Sequence, residues 1–219
     1  QTCARKTAGT VLCWGGNYAG VLGQGYIKDE MLKAPGLVKE LPDVAQIALG
    51  SMNTCALKKD GTVACWGFND KGQLGDGTKE SKSVPTVVLG LLDIAQIAIG
   101  YKHTCTLKTD GTVACWGLND HGQLGDSTKI DKSKPTMVPG LSDVVEIALG
   151  SDHTCALKNT GAVTCWGRND YGQLGVDTTK ASKSSPIPFF DVKASSAPAS
   201  PTSSSAKPEE TTIIVTPAA

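Results

Sequence analysis

Short apolar runs closed by glycine recur along this chain, and each has the length of a strand. Val44 to Leu49, Ile94 to Ile99 and Val144 to Leu149 end at Gly50, Gly100 and Gly150. They are rich in β-branched residues, and about six positions is too short for an ordinary helix, so the pattern predicts strands. Both parities within them are largely apolar or small, which predicts sheets covered on both faces. Gln46, Gln96 and Glu146 interrupt that rule and are expected at a wet edge. No stretch requires a helix.

After each apolar run comes a segment that turn chemistry alone can place in register. In Thr104-Cys105-Thr106-Leu107-Lys108, Thr109-Asp110-Gly111 and Thr112-Val113-Ala114-Cys115-Trp116-Gly117, the middle triplet is a three-residue hairpin loop. Gly111 supplies the left-handed residue that such loops need. Lys108 then opposes Thr112, Leu107 opposes Val113, and Cys105 falls opposite Cys115. Opposed α-carbons lie about 4.5 to 5.5 Å apart, within the range a disulfide spans. Parity puts Cys105, Leu107, Val113 and Cys115 on one face, with Thr104, Ala114 and Trp116 on the other.

The same unit occurs four times at a period of about fifty residues, which predicts a stacked repeat architecture. The copies align on Trp14, Trp66, Trp116 and Trp166, with Gly9, Gly61 and Gly161 as the equivalent turn glycines. All eight cysteines fall into pairs: Cys3 with Cys13, Cys55 with Cys65, Cys105 with Cys115, and Cys155 with Cys165. A loop such as Asn119-Asp120-His121-Gly122-Gln123-Leu124-Gly125 follows each tryptophan, then a polar stretch to Pro135. The first copy begins at Gln1-Thr2-Cys3 without its apolar run, so the chain is expected to start inside a repeat. The units span about 1–43, 44–92, 93–142 and 143–192. Residues 193–219, rich in Ser, Pro, Ala and Thr, cannot bury enough apolar area to fold and read as a disordered linker or tail. The short apolar run Ile213-Ile214-Val215 within it decides nothing.

Composition removes several classes of function. Lysine plus arginine equals aspartate plus glutamate at 21 each in 219 residues, so the basic footprint of a nucleic-acid binder is missing. No apolar run is long enough to span a bilayer, and no leader pattern opens the chain. Evenly spaced cysteine pairs predict an oxidising, extracellular or cell-surface location. Metal is the weaker reading of these cysteines. His103 and His153 lie two residues before a cysteine, but Asn53 breaks the series, and structural zinc sites space their cysteines more closely. Closing a loop of about eleven residues is worth roughly 2.7 kcal/mol per bridge in the chain-entropy model.

The stretches Ile97 to Gly125 and Ile147 to Gly175, with Ile47 to Gly75 carrying Asn53 in place of histidine, resemble the regulator of chromosome condensation repeat. A partial copy covers Cys3 to Gly23. The resemblance implies an all-β propeller of four-stranded blades, typically seven, that works by recognising other proteins on its faces. Here there are about four units, so the expectation is a partial propeller or open arc. Three alternatives stand: missing N-terminal blades, copies that complete a ring, or ends that stay open and self-associate through unpaired blade edges. The cysteine pairs depart from the nuclear relative, whose reducing compartment would not maintain them.

The remaining motifs read as structure. One tryptophan per repeat at an equivalent position is a packing pattern, not the light-sensing cluster of the plant photoreceptor that shares this repeat. His103 and His153 are expected to hydrogen-bond between blades. Ser151-Asp152-His153 holds triad residue types, but neighbours on an extended chain point to opposite faces and cannot converge. Gly-Gln-Leu-Gly lacks the spacing of a phosphate loop and reads as a turn with an inserted leucine. Asp70, Asp120 and Asp170 are too regular to form one catalytic site. No catalysis, cofactor or metal is expected.

What varies between copies marks either binding or drift on solvated loops. The binding candidates among those positions are Met52, Phe68, Lys71, Tyr101, Lys102, His121, Asp152, Arg168 and Tyr171. Loops on a rigid scaffold carry binding residues, and tyrosine, arginine and methionine suit protein interfaces. The expected function is a non-catalytic protein-interaction module of a secreted or surface protein, partner unidentified. The alternatives are inhibition of an extracellular enzyme and, from another class, guanine-nucleotide exchange on a small GTPase.

Overall fold

The computed structural model describes residues 1–27, 31–175 and 181–188, together with the backbone of 212–215. Sixteen short strands in it form four four-stranded antiparallel sheets. Blade 1 contains β1 (Thr2–Arg5), β2 (Val11–Gly16) and β3 (Met31–Leu37). Blade 2 runs β4 (Val44–Leu49), β5 (Asn53–Lys58), β6 (Val63–Gly67) and β7 (Lys82–Val87). Blade 3 follows as β8 (Ile94–Ile99), β9 (His103–Lys108), β10 (Val113–Gly117) and β11 (Lys132–Met137). Blade 4 is β12 (Val144–Leu149), β13 (His153–Lys158), β14 (Val163–Gly167) and β15 (Lys183–Pro188). The architecture is an open propeller arc, and its only helical turn among the described residues is Tyr18–Gly20. Most of the predicted tail lies outside the described residues. The exception is β16 (Thr212–Val215), which pairs with β1 and so occupies in blade 1 the place that β4, β8 and β12 take in theirs.

The hairpin register follows from the turn. Leu107 opposes Val113 and Cys105 opposes Cys115, with equivalent pairings in all four blades. Gly111 has φ +79°. The amide of Lys108 donates to the carbonyl of Thr112 at 2.9 Å. Three positions along the ladder from there, the cysteines occupy a non-hydrogen-bonded site, where opposed residues approach most closely. All four expected disulfides form. Cys3 is bonded to Cys13 in blade 1 and Cys55 to Cys65 in blade 2. Cys105 is bonded to Cys115 in blade 3 and Cys155 to Cys165 in blade 4. In each pair the α-carbons are 4.1 Å apart, slightly inside the separation expected for unlinked strands. Among the described residues no cysteine is free.

Each blade presents two unlike faces, and blades stack by joining them. Cys105, Leu107, Val113 and Cys115 pack against Val144, Ile147, Ala156 and Trp166 of blade 4. On the opposite side, Ala114 and Trp116 pack against Cys55, Leu57, Val63 and Cys65 of blade 2. Cys3 and Cys13 of blade 1 join the cluster that holds Ala56 and Trp66 of blade 2. No following blade covers the bridge of blade 4 among the described residues, yet Cys165 is still buried at 4% exposure. The buried indoles stay hydrogen-bonded: Trp66 Nε1 donates to Val21 O at 2.8 Å, Trp116 to Gln73 O at 3.0 Å and Trp166 to Gln123 O at 2.9 Å. A threonine hydroxyl from the same blade shares each acceptor, Thr104 on Gln73 O and Thr154 on Gln123 O. Trp14 is only half-buried.

The glutamines expected at a wet edge instead clamp blades together. Gln46 donates its amide N–H to Ile97 O at 3.0 Å and accepts from Ile97 N at 3.0 Å. Gln96 does the same to Ile147, at 3.0 and 2.9 Å. Each side chain satisfies the inner strand of the next blade much as an added strand would. The prediction missed this because the partner backbone lies 51 residues away in the chain. Pro85, Pro135 and Pro186 fall in the outermost strands, where a missing N–H breaks no ladder.

Candidate protein-binding face

Strand direction sorts every loop to one end of the arc or the other. The short turns after β5, β9 and β13 and the connections after β7 and β11 lie at the lower end. The β4–β5, β8–β9 and β12–β13 turns and the long loops that follow Cys-Trp-Gly lie at the upper end. All nine variable residues belong to the upper set. The two kinds of upper loop are tied together in blades 2, 3 and 4, Phe68 N donating to Met52 O, Leu118 N to Lys102 O and Arg168 N to Asp152 O, each at 2.8 Å.

A buried asparagine organises each long loop. Asn69 Oδ1 accepts from Leu74 N at 2.9 Å, while its Nδ2 reaches Asp76, Thr78 and the carbonyl of Glu80. Asn119 repeats this on Leu124, Asp126, Thr128 and Ile130. Burial works against the Asp126 carboxylate, yet the Thr128 hydroxyl, the Thr128 amide and Asn119 outweigh it and hold its pKa below the ordinary value. Leu74, Leu124 and Leu174 are fully buried beneath these loops. The loops are therefore stiff, as a recognition surface requires.

On that frame, Phe68 joins three blades. Tyr18 of blade 1 packs on its ring at 5.8 Å between centroids, and Lys102 of blade 3 sits 4.9 Å above it. Lys102 also bonds Asp70 at 2.9 Å and lies 5.9 Å from the Tyr101 ring. In blade 4, Arg168 bridges Asp170 at 2.6 Å and Asp152 at 3.4 Å and lies over Tyr171 at 5.7 Å. Lys71 reaches Asp131 at 3.4 Å, Met52 is half-buried, and the Tyr171 side chain is the most open of the set at 84% exposure. His121 Nδ1 approaches Ser182 Oγ at 3.5 Å. The arrangement offers aromatic surface with fixed charges at its margins. Among the described residues no group of three His, Cys, Asp or Glu is placed to hold a metal.

The signature histidines act between blades. His103 Nε2 lies 3.0 Å from Thr154 Oγ1. Because the threonine proton is committed to Gln123 O, Nε2–H donates and Nδ1 is left as a buried acceptor without a partner. A β-carbon at Gly100 would collide with His103 Cε1, so only glycine admits the imidazole. Burial, then the charge of His153, pushes the His103 pKa down to about 3. Burial also lowers that of His153, with Asp152 opposing. Asn53, in the equivalent place, is buried with neither polar side-chain atom satisfied.

At the axial mouth of the upper end, a cavity of about 610 Å³ opens between blades 2, 3 and 4. Leu49, Ile99, Leu149 and Leu118 supply apolar wall, Tyr101 an aromatic edge, and Asp120 and Asp152 the charge. Tyr101, His121 and Asp152, which all line the cavity, were among the predicted binding residues; Leu118, a position that varies between copies, and Asp120 were not. Comparing Asp120 with what faces it in the neighbouring copy would have exposed it.

Comparisons with known proteins agree with this geometry. Yeast RCC1 (Prp20), solved bound to Kap60, superposes with a TM-score of 0.73 at 25% identity, covering 84% of this chain and 45% of that one. Prp20p from Saccharomyces cerevisiae, described with its binding properties to Gsp1p and histones, gives 0.72 at 26%, covering 84% and 47%. The chain thus spans about half the length of these structures. Human (Homo sapiens) E3 ubiquitin-protein ligase HERC2 is 39% identical over 87 residues, which is 39% of this chain and 2% of that protein. A family model for the RCC1-like domain matches residues 1–216. With four blades built on one repeated Cys-Trp-Gly hairpin and a family match along nearly its whole length, this chain belongs to the RCC1-like domain family.

Proposed function

We propose that the chain is a non-catalytic protein-binding module whose partner docks on the upper face of the arc. One observation carries this reading: the nine candidate positions, which differ between otherwise duplicated copies, are gathered on the upper loops, which buried asparagines hold rigid. The aromatic and cationic content, Phe68, Tyr101, Tyr171, Lys102 and Arg168, suits a recognition hot spot. Four disulfides support an extracellular location, because a reducing compartment would not maintain them.

Site-directed photocrosslinking in the native medium tests both points. Probes at Tyr101 and Tyr171 should capture one protein species, and probes at Lys59 and Leu89 on the lower end should not. Tyr101→Ala combined with Tyr171→Ala should abolish capture while leaving thermal stability unchanged. Capture from the lower end alone would overturn the reading. Free thiols on the denatured, unreduced protein would overturn the extracellular placement.

A further inference from the structure

The cavity at the axial mouth departs from the repeat in its charge. At the junction of blades 2 and 3, Asp70 meets Lys102 at 2.9 Å. One repeat further, those two positions hold Asp120 and Asp152, so the interblade ion pair becomes two acids. Both line the same cavity, and no lysine or arginine lines it. Arg168 approaches from the side, but it is divided between Asp152 at 3.4 Å and Asp170 at 2.6 Å. Among the described residues Asp120 has only the Gln123 amide at 3.2 Å and the His121 ring at 3.9 Å, and 59% of its side chain remains exposed. Two carboxylates at a concave, largely apolar site focus negative potential into it.

We propose that this cavity receives an arginine side chain of the protein that docks on the upper face. Its chemistry matches both halves of the site. The aliphatic stem lies along Ile99, Leu118 and Leu149, as long cationic side chains do on apolar surface. The guanidinium meets Asp120, where a planar fork forms paired hydrogen bonds to one carboxylate. Tyr101 offers an edge or face to the same planar cation. Lysine would fill the stem path without the paired geometry, and a neutral side chain would leave the two carboxylates uncompensated. This inference rests on the docking reading above and refines it by naming the anchoring group.

The probe is N-acetyl-arginine methylamide, titrated against the whole chain by NMR, with the citrulline analogue as the uncharged isostere. Arginine is expected to shift the signals of Tyr101, Leu118 and Leu149 saturably, and citrulline about tenfold more weakly. Asp120→Asn should weaken the arginine probe about tenfold. Asp152→Lys rebuilds the ion pair found one junction earlier, so it keeps the fold and should abolish binding. Equal binding of citrulline, or unchanged binding in D152K, overturns the proposal. The two readings fail separately. A crosslinked partner that binds D120N and D152K at wild-type affinity sinks the arginine anchor and leaves upper-face docking intact. Saturable arginine binding without upper-face crosslinks does the reverse.

Discussion

The junction between blades 2 and 3 and the junction between blades 3 and 4 are cut from one repeat, yet they differ above the shared core. Their cores are interchangeable: a cysteine-bearing face meets a tryptophan-bearing face, and the indole donates to a loop carbonyl at 3.0 and 2.9 Å. Above the core they diverge. The first has an interblade ion pair, Asp70–Lys102, and the unsatisfied Asn53. The second has two acids and the satisfied His103–Thr154 contact. Packing therefore holds the buried positions to one solution, and the loop ends are free to acquire different chemistry. Asn53 is the instructive exception, a divergence at a sealed position.

The strongest challenge to this equivalence strips the tryptophans. Trp116→Ala and Trp166→Ala should each destabilise by about 3–5 kcal/mol, the range for a buried aromatic truncated to alanine, and should agree within about 1 kcal/mol. Trp14→Ala, at a half-buried position, should lose distinctly less. Urea denaturation followed by circular dichroism measures all three. A loss for Trp14→Ala equal to that for Trp116→Ala would show that junction packing is not what buries these rings.

Next come the bridges, which should contribute alike on both sides. Replacing Cys55 and Cys65 by alanine, or Cys105 and Cys115, should lower stability by roughly 2.7 kcal/mol in each case, because both loops are the same length. Unfolding free energies of the two double variants, with slopes equal to each other, check this. Unequal losses would mean that the native surroundings, and not the unfolded chain, set the contribution.

Acid separates the junctions through the histidine that only one of them holds. Burial depresses the His103 pKa from 6.5 to about 3, so the folded state favours the neutral ring. Below pH 6.5 the unfolded chain binds the proton that the folded protein refuses, and stability falls as pH falls. The slope approaches about 1.4 kcal/mol per pH unit, or roughly 2 kcal/mol lost by pH 5, and it flattens near pH 3. His153, shifted in the same direction, adds to the decline. His103→Asn makes the later junction resemble the earlier one and should remove the larger part of the slope. A pH profile identical in wild type and H103N would refute this account.

These differences were unequally visible in the amino-acid order. Cys105 opposite Cys115 could be read because one turn glycine sets the register and the cysteines lie within the same hairpin. The same reasoning reached Cys13 and Cys165 at the two ends of the arc, since a hairpin needs no neighbouring blade to set its register. The strand Lys82–Val87 could not be read, since an outer edge tolerates Pro85 and alternating polar residues that resemble a loop. Gln46 was misplaced at a wet edge because its partner, Ile97, is local only after the blades stack. The pairing of Thr212–Val215 with β1 joins segments about two hundred residues apart, which no local pattern announces. At the candidate site the variable positions were evident from aligning the copies. Asp120 was hidden by its own regularity: it is the same in three repeats, and only its counterpart changes from Lys102 to Asp152.

The smallest expected effect, and the one that addresses the sealed exception, is a gain. Asn53 is 1% exposed with both polar side-chain atoms unpaired. The position that would receive it, Thr104 Oγ1, already donates to Gln73 O, just as Thr154 donates to Gln123 O. An imidazole at position 53 would therefore find the acceptor that His103 finds. Gly50, like Gly100, carries no β-carbon to obstruct the ring. Asn53→His should remove a buried unsatisfied amide and form one hydrogen bond, stabilising by about 1 kcal/mol at pH 7.5. Because the new ring is sealed as His103 is, the gain should vanish in acid, and the variant should melt above wild type at pH 7.5 and no higher at pH 5. Thr104→Val in the same background should cancel the gain by removing the acceptor. A stabilisation that survives both acid and the loss of Thr104 would mean the ring merely fills space, and the two junctions would then differ in volume and not in hydrogen bonding.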